Sequence, residues 1–460
     1  MLVPLVGLLH CGTDPVGPEA DGGRDAATEV DGASPRDGAP DVRVAEDASA
    51  SDAATDATVD AADAADAAVR YVPKAYDVNH VLSTGQSLSV GSQGTPLLST
   101  TQPFGNLMLS TGVLASASTA TSFVPLVEAT RETMSSGLAN LVWDVAANDV
   151  LVGLPAPNDK HRVLVSCHGI GGTAYAGLKK GTVAFANGIA QVTAAKAIAD
   201  GSMRSYVVRV VTNVHGESDH VARNASYAAN LAEWQADYET DVRAITGQTE
   251  PIPMLQTQMS SWTKYGQATS TIPQQQLDAS VASGGKIVMV GPKYTVEYAP
   301  DGVHLTSAGY RHMGEYYAKV YRRIVLEGKP WEPLRPAQVT LAGDELTVRF
   351  LVPVPPLALD TTLVTNPGNF GFEYSDESAS PPTIVAVSLV GADSVRIKLS
   401  AAPAATATGK VVRYAYTGTP GALGGATTGP RGNLRDSDTS RSRHGNPLFN
   451  WAVHFAMPVP

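Results

Sequence analysis

A serine acts as a nucleophile only when a base can take its proton, a third group holds that base, and hydrogen-bond donors receive the charge that develops on the substrate oxygen. Four stretches of the 460-residue chain offer such groups. Gly85-Gln86-Ser87-Leu88-Ser89 follows the apolar run Val81-Leu82, so a serine beside a flexible glycine can stand above a sheet edge. Asp301-Gly302-Val303-His304 sets a carboxylate three residues before an imidazole. On a loop, that offset lets Asp301 reach one ring nitrogen, fix the tautomer and stabilise the imidazolium, leaving the other nitrogen for Ser87. Taken alone, the tetrad reads by default as an Asp-Gly turn with His304 a polar residue capping a helix. The glycines of His168-Gly169-Ile170-Gly171-Gly172-Thr173 let backbone amides converge on an anion. Asn213-Val214-His215-Gly216-Glu217-Ser218-Asp219 is the fourth stretch, rich in polar groups after another apolar run.

Rival constellations are weaker. Ser89 is the other hydroxyl near the first stretch, and because it stands where a GxSxG elbow needs glycine, an α/β-hydrolase site is disfavoured. His215, Asp219 and His220 match no established metal-ligand spacing, so neither a metal nor a cofactor is expected. Cys11 and Cys167 are too few and too far apart for a disulfide framework or a zinc site. Cys167, after Val163-Leu164-Val165, reads as a buried inert thiol. Tyr227, Trp234 and Tyr238 share one helical stripe and read as core rather than as a sugar platform.

The elements that must position these groups alternate. Short apolar or β-branched runs at 78–83, 162–166, 206–211, 253–256 and 286–290 read as strands buried on both faces. Between them lie helical stripes: Phe185 to Ala199, Tyr227 to Ile245, and a last helix capped by Thr306 or Ser307 that stops near Gly328. Strand and helix in alternation imply a mostly parallel sheet covered on both faces, with ligands beyond the carboxyl ends of its strands. Residues 91–160, rich in Ser, Thr, Gly and Pro, read as a long insertion able to form a substrate wall. From 331 to 460 the pattern turns to period two, with Gly-Asp and Gly-Ala-Asp turns and a late strand at 450–455, as in an all-β sandwich. Residues 418–446 read as loop.

Residues 12–70 hold fifteen Asp or Glu and four Arg, which leaves 29 residues of each sign in the rest of the chain. The acidity therefore belongs to a flexible, self-repelling tether at 12–72, and the neutral remainder argues against a basic nucleic-acid face. The opening MLVPLVGLLH runs into Cys11, like the end of a bacterial lipoprotein signal in which that cysteine is lipidated, although the n-region lacks Lys or Arg and His10 replaces a small residue. No later run of 18 or more apolar residues suggests a membrane span, so a membrane contact is expected only through such an anchor on a secreted or surface protein.

In their order and placement, GQSLS, the Gly-rich turn, HGESD and DGVHLT resemble the SGNH or GDSL-like hydrolases, especially the branch of the sialate O-acetylesterases and acetyl xylan esterases. The resemblance covers about 71–328. It implies a flavodoxin-like α/β/α hydrolase domain at 73–328, with the β-sandwich at 331–460 outside it. It also implies Ser87 as nucleophile, His304 as base and then acid, Asp301 as its orienter, and the amides of Ser87 and Gly171 as oxyanion donors. His215 stands where that branch has glutamine; an imidazole can also donate one hydrogen bond, so it is expected at the oxyanion hole. Gln86, Gly216, Glu217 and Asp219 are expected to support the loops. The expected activity is ester hydrolysis through an acyl-enzyme, on acetylated carbohydrate or another ester. The alternative is a surface carbohydrate-binding or adhesion lipoprotein that has kept the fold without catalysis.

Overall fold

The structure, a computed structural model, describes residues 71–148 and 160–460. Cys11 and nearly all of the acidic tether lie outside the described residues. Strand β1 (Val78–Gly85) is buried throughout its length. It lies between β4 (Val163–Cys167) and β5 (Tyr206–Val214), parallel to both. The full sheet also takes in β2 (Leu107–Leu109), β3 (Phe123–Pro125), β6 (Met254–Gln258) and β7 (Ile287–Pro292). Its order is β3-β2-β4-β1-β5-β6-β7, antiparallel only at β3. Counting the five long parallel strands alone, the order is 2-1-3-4-5, which is flavodoxin-like and puts the topological switch point between β1 and β5.

Helices cover both faces, as continuous apolar strands require. On one face pack α1 (Met134–Asn148) and, further along the chain, the last helix of this part, Ser307–Tyr321, through Leu138, Val142, Tyr310, Met313 and Tyr317. On the other face pack α2 (Val183–Gly201), α4 (Tyr227–Thr246) and α5 (Ile272–Ala282), through Phe185, Leu231, Trp234 and Tyr238. The short α3 (Glu217–Val221) follows β5, and Ser307–Tyr321 is α6, with the Thr306 hydroxyl accepting from the Gly309 amide as its cap. Tyr227, Trp234 and Tyr238 are fully buried core, as their stripe predicts. Cys167 is buried and unpaired, and burial pushes its thiol up to about 11.

Two expectations need correction. The stretch 91–160 is more than an insertion, because β2 and β3 extend the sheet and α1 builds one of its layers. The run 450–455 is mostly irregular: Trp451 makes a single bridge, and the last strand, Phe455–Pro458, starts only at its end.

The C-terminal part is antiparallel. β8 (Arg335–Ala342) and β9 (Glu345–Leu351) form a hairpin across Gly343-Asp344. After β10 (Ala358–Leu359) and β11 (Phe372–Ser375), β12 (Ile384–Val390) and β13 (Ser394–Leu399) make a second hairpin. β14 (Val411–Tyr414), β15 (Leu434–Arg435) and β16 (Phe455–Pro458) complete it. Two sheets, β12-β13-β9-β8 and β11-β14-β16, share one core of Val348, Phe350, Ile397, Phe372, Tyr414 and Phe455. That core reaches Tyr294 and Met289 of the α/β part, and Tyr294 donates a 2.7 Å hydrogen bond to the Ala452 carbonyl.

Candidate active site

The chain turns sharply where β1 ends. Gly85 has φ +128°, and a Cβ there would stand 2.3 Å from the Val214 carbonyl oxygen of β5, so neither the conformation nor the space admits a side chain. The Ser92 amide closes back on the Ser87 carbonyl at 3.0 Å. From 78 to 90, Ser87 is the single residue that is not buried. Ser89 is buried, and its hydroxyl donates to the Gln86 carbonyl at 2.7 Å, so it does not reach the open site.

His304 comes to Ser87 from the loop before α6. The Ser87 hydroxyl lies 2.7 Å from His304 Nε2, and His304 Nδ1 lies 2.6 Å from Asp301 Oδ2. Asp301 Oδ1 accepts from the amides of Val303 and His304, at 3.0 and 2.9 Å. Partial burial works against the Asp301 charge, but the imidazole and these two amides outweigh it and hold the carboxyl below its usual range. With a carboxylate on Nδ1, that nitrogen carries the proton and Nε2 is free to accept from Ser87. The loop is held from outside as well: Gly302, at φ +70°, accepts at its carbonyl from the Gly424 amide at 2.9 Å, and Leu423 covers its Cα.

Gly171 faces Ser87, since a Cβ on it would meet the Ser87 Cβ at 3.6 Å. Neither the Ser87 nor the Gly171 amide donates to a backbone carbonyl among the described residues. Both line a cleft of about 620 Å³ together with Gln93, Arg131, Tyr265 and His304. Gln93 and Arg131 come from the stretch read as a substrate wall.

His215 is elsewhere. It is fully buried, its Nε2 lies 3.0 Å from the Thr173 carbonyl and its Nδ1 2.7 Å from the Tyr227 hydroxyl. A carbonyl only accepts, so Nε2–H donates to Thr173 and Nδ1 accepts from Tyr227. Burial, outweighing the nearby Asp219 carboxylate, holds this imidazole below its ordinary value and neutral. The expected oxyanion contact is thereby corrected: both ring nitrogens are committed, and they tie down the turn that carries Gly171. Asp219 assists by accepting from the Tyr175 amide at 2.7 Å.

Gln86 and Glu217 do support the loops. Gln86 donates to Glu217 at 2.9 Å and accepts from the Ser218 amide at 3.1 Å, joining the turn after β1 to the one after β5. Gly216, at φ +138°, occupies a turn that a side chain would strain. Glu217 has a partner that the sequence reading missed, the ammonium of Lys293 at 2.6 Å, both side chains being buried. Burial opposes ionisation of Glu217, yet Lys293 keeps it charged, with the carboxyl below its ordinary value. The available signal was position: Lys293 follows β7 at the carboxyl edge of the sheet, where ligands gather.

Residues 146–323 match the family described as SASA, carbohydrate esterase, sialic acid-specific acetylesterase. The chain is a carboxylic ester hydrolase with a fold like that of the SGNH hydrolases. The matched stretch holds the Gly-rich turn, the HGESD stretch, Asp301 and His304, and begins after Ser87. No curated protein matches the chain. Among solved structures, a carbohydrate acetylesterase from Xanthomonas citri is similar in fold, with a TM-score of 0.53 and 15% identity over 82% of this chain and 80% of that one. A protein of Arabidopsis thaliana matches with a TM-score of 0.39 and 16% identity over 54% of this chain and 98% of its own. The hydrolase resembles, in its motifs and in this family match, the sialate O-acetylesterase branch.

Proposed function

We propose that this hydrolase is a serine esterase that removes acetyl groups from carbohydrate. The observation that carries the reading is the continuous relay from Ser87 Oγ through His304 to Asp301, at 2.7 and 2.6 Å, open to a cleft. Ser87 Oγ attacks the ester carbonyl carbon while His304 Nε2 takes its proton. The amides of Ser87 and Gly171 receive the negative charge on the carbonyl oxygen. Collapse of the adduct breaks the bond to the sugar oxygen, which leaves with the proton from His304, and the acetyl group stays on Ser87. Water, deprotonated by His304, then releases acetate and restores the serine. Asp301 keeps the imidazole in the reactive tautomer throughout. The carbohydrate substrate follows the family match and the motifs rather than the relay, which suits any small ester.

His215, standing where the branch has glutamine, is the residue that would favour a catalytically silent binder, and its ring holds the Gly-rich turn instead. The test is acetate release from a panel of acetylated glycans, including acetylated xylan and O-acetylated sialosides. Release from at least one of them is expected, and activity confined to aryl esters would remove the carbohydrate assignment. We also propose attachment to the cell surface through lipidated Cys11, testable by palmitate labelling. Label should vanish in Cys11→Ala, and label that survives the substitution would exclude the anchor.

A further inference from the structure

A second concavity, about 790 Å³ in volume, lies behind the loop that carries Asp301 and His304. One wall comes from residues 295–300 and the start of α6, and the other from the segment 423–428 of the C-terminal part. Its volume is in the range of small-molecule sites, which favour boundaries between structural parts. The segment 423–428 is braced. The Gly424 amide donates to Gly302, the Thr428 hydroxyl to the Leu423 carbonyl at 2.8 Å, and the Thr365 amide to the Ala426 carbonyl at 2.9 Å. The cavity therefore has walls fixed before any ligand arrives, which lowers the ordering cost of binding.

The lining chemistry narrows the occupant. Glu297 is the one formally charged side chain in it, and no Lys or Arg takes part, so an anion would find no counter-charge and one repelling carboxylate. His312 is neutral, because burial holds its imidazole below the ordinary value. Tyr298, His312, Tyr316 and Trp451 contribute aromatic surface, and Thr306 and Thr427 contribute hydroxyls. Two polar atoms of this lining, Tyr298 Oη and His312 Nε2, are buried with no hydrogen-bond partner. Each is hydrogen-bonding capacity that the protein's own groups do not take up. Aromatic surface, the absence of any cation from the lining and scattered hydroxyl-pairing groups together suit a neutral sugar ring.

We propose that this cavity binds a neutral saccharide unit of a glycan chain, separately from the Ser87 cleft. The proposal rests on the carbohydrate reading of the esterase. Because the 298–306 loop lines this cavity on one side and presents His304 to the Ser87 cleft on the other, one polymer has a short path between the two sites.

The experiment is calorimetric titration of the full chain carrying Ser87→Ala with xylohexaose, cellohexaose and chitohexaose, and with an oligogalacturonate as the anionic counterpart. At least one neutral hexasaccharide should bind, and more tightly than the oligogalacturonate. Thr427→Trp, a bulky ring on the exposed lip, and Ala308→Trp, within the wall, should each weaken binding by about tenfold or more. Thr427 is exposed, so its variant tests the site even if Ala308→Trp does not fold. Absence of binding by all three neutral sugars, preference for the anionic one, or binding that Thr427→Trp leaves intact would overturn the proposal. None of these results depends on ester hydrolysis, so they are distinct from a failure of the esterase reading, which would appear as acetate release that is absent or unaffected by Ser87→Ala.

Discussion

Glu217 shows how a residue away from the bond-making atoms can set the site. Its carboxylate is held by Lys293 and Ser261, and it holds Gln86, the neighbour of Ser87. A buried ion pair that loses one partner leaves an uncompensated charge, which typically costs about 3–5 kcal/mol. Lys293→Met should therefore lower the urea midpoint by an equivalent amount and reduce kcat. Lys293→Met with Glu217→Leu should restore much of the stability but not the activity, since Gln86 then loses the carboxylate that anchors it. A double variant as unstable as the single one would contradict this account of the pair. That Ser87, Asp301 and His304 would meet was legible in the sequence, because the proposed chemistry needs fixed residue types at strand ends and on one loop. The role of His215 was not, because which way a buried imidazole points is set by Tyr227 and Thr173, neither of which the motif contains.

At the scale of elements, the segment 418–429 of the C-terminal part clasps the active-site loops. Gly424 bonds Gly302, Gly421 bonds the Thr263 carbonyl at 2.7 Å, and Gly418 bonds the Ala268 carbonyl at 2.9 Å. A Cβ on Gly302 would stand 2.6 Å from that of Leu423, at a φ that side chains resist. Gly302→Ala should thus displace the Asp301–His304 loop. Displacements of about 1 Å can cost about a hundredfold in rate, so kcat should fall by one to two orders of magnitude. Adding Leu423→Gly should recover part of that loss, and a double variant no faster than Gly302→Ala would argue that Leu423 is not the obstacle. The alternation of strands and helices was readable because parallel strands covered on both faces are apolar throughout. Strands β2 and β3 were missed because three residues each are too few to show a period, and α1 because its stripe is interrupted by small and polar residues. The clasp was invisible, since a Gly- and Thr-rich run looks the same whether it braces a loop or hangs free.

Across the whole molecule, two buried carboxyls give a testable pH dependence. Burial raises Glu128 and Glu315 to about 7. A carboxyl whose folded value lies above its unfolded one is protonated in the fold, so the folded state binds the extra proton between about pH 4.5 and 7. Stability from each group is full below the unfolded value and declines as pH rises through that window, and at one pH unit per 1.36 kcal/mol the loss is on the order of a few kcal/mol. Urea midpoints at pH 5 and pH 8 should therefore fall further for the wild type than for Glu315→Gln, and equal shifts in both proteins would contradict the assignment. The sandwich character of the C-terminal part was legible from its period-two hairpins. Its shared core with Tyr294 was not, because packing between parts leaves no local pattern.

The most direct test is hydrolysis of p-nitrophenyl acetate by the purified wild type and Ser87→Ala. Loss of a nucleophile that works with a paired base should lower kcat by about 10⁴-fold or more. Equal rates in the two proteins would remove Ser87 from the chemistry and the serine mechanism with it.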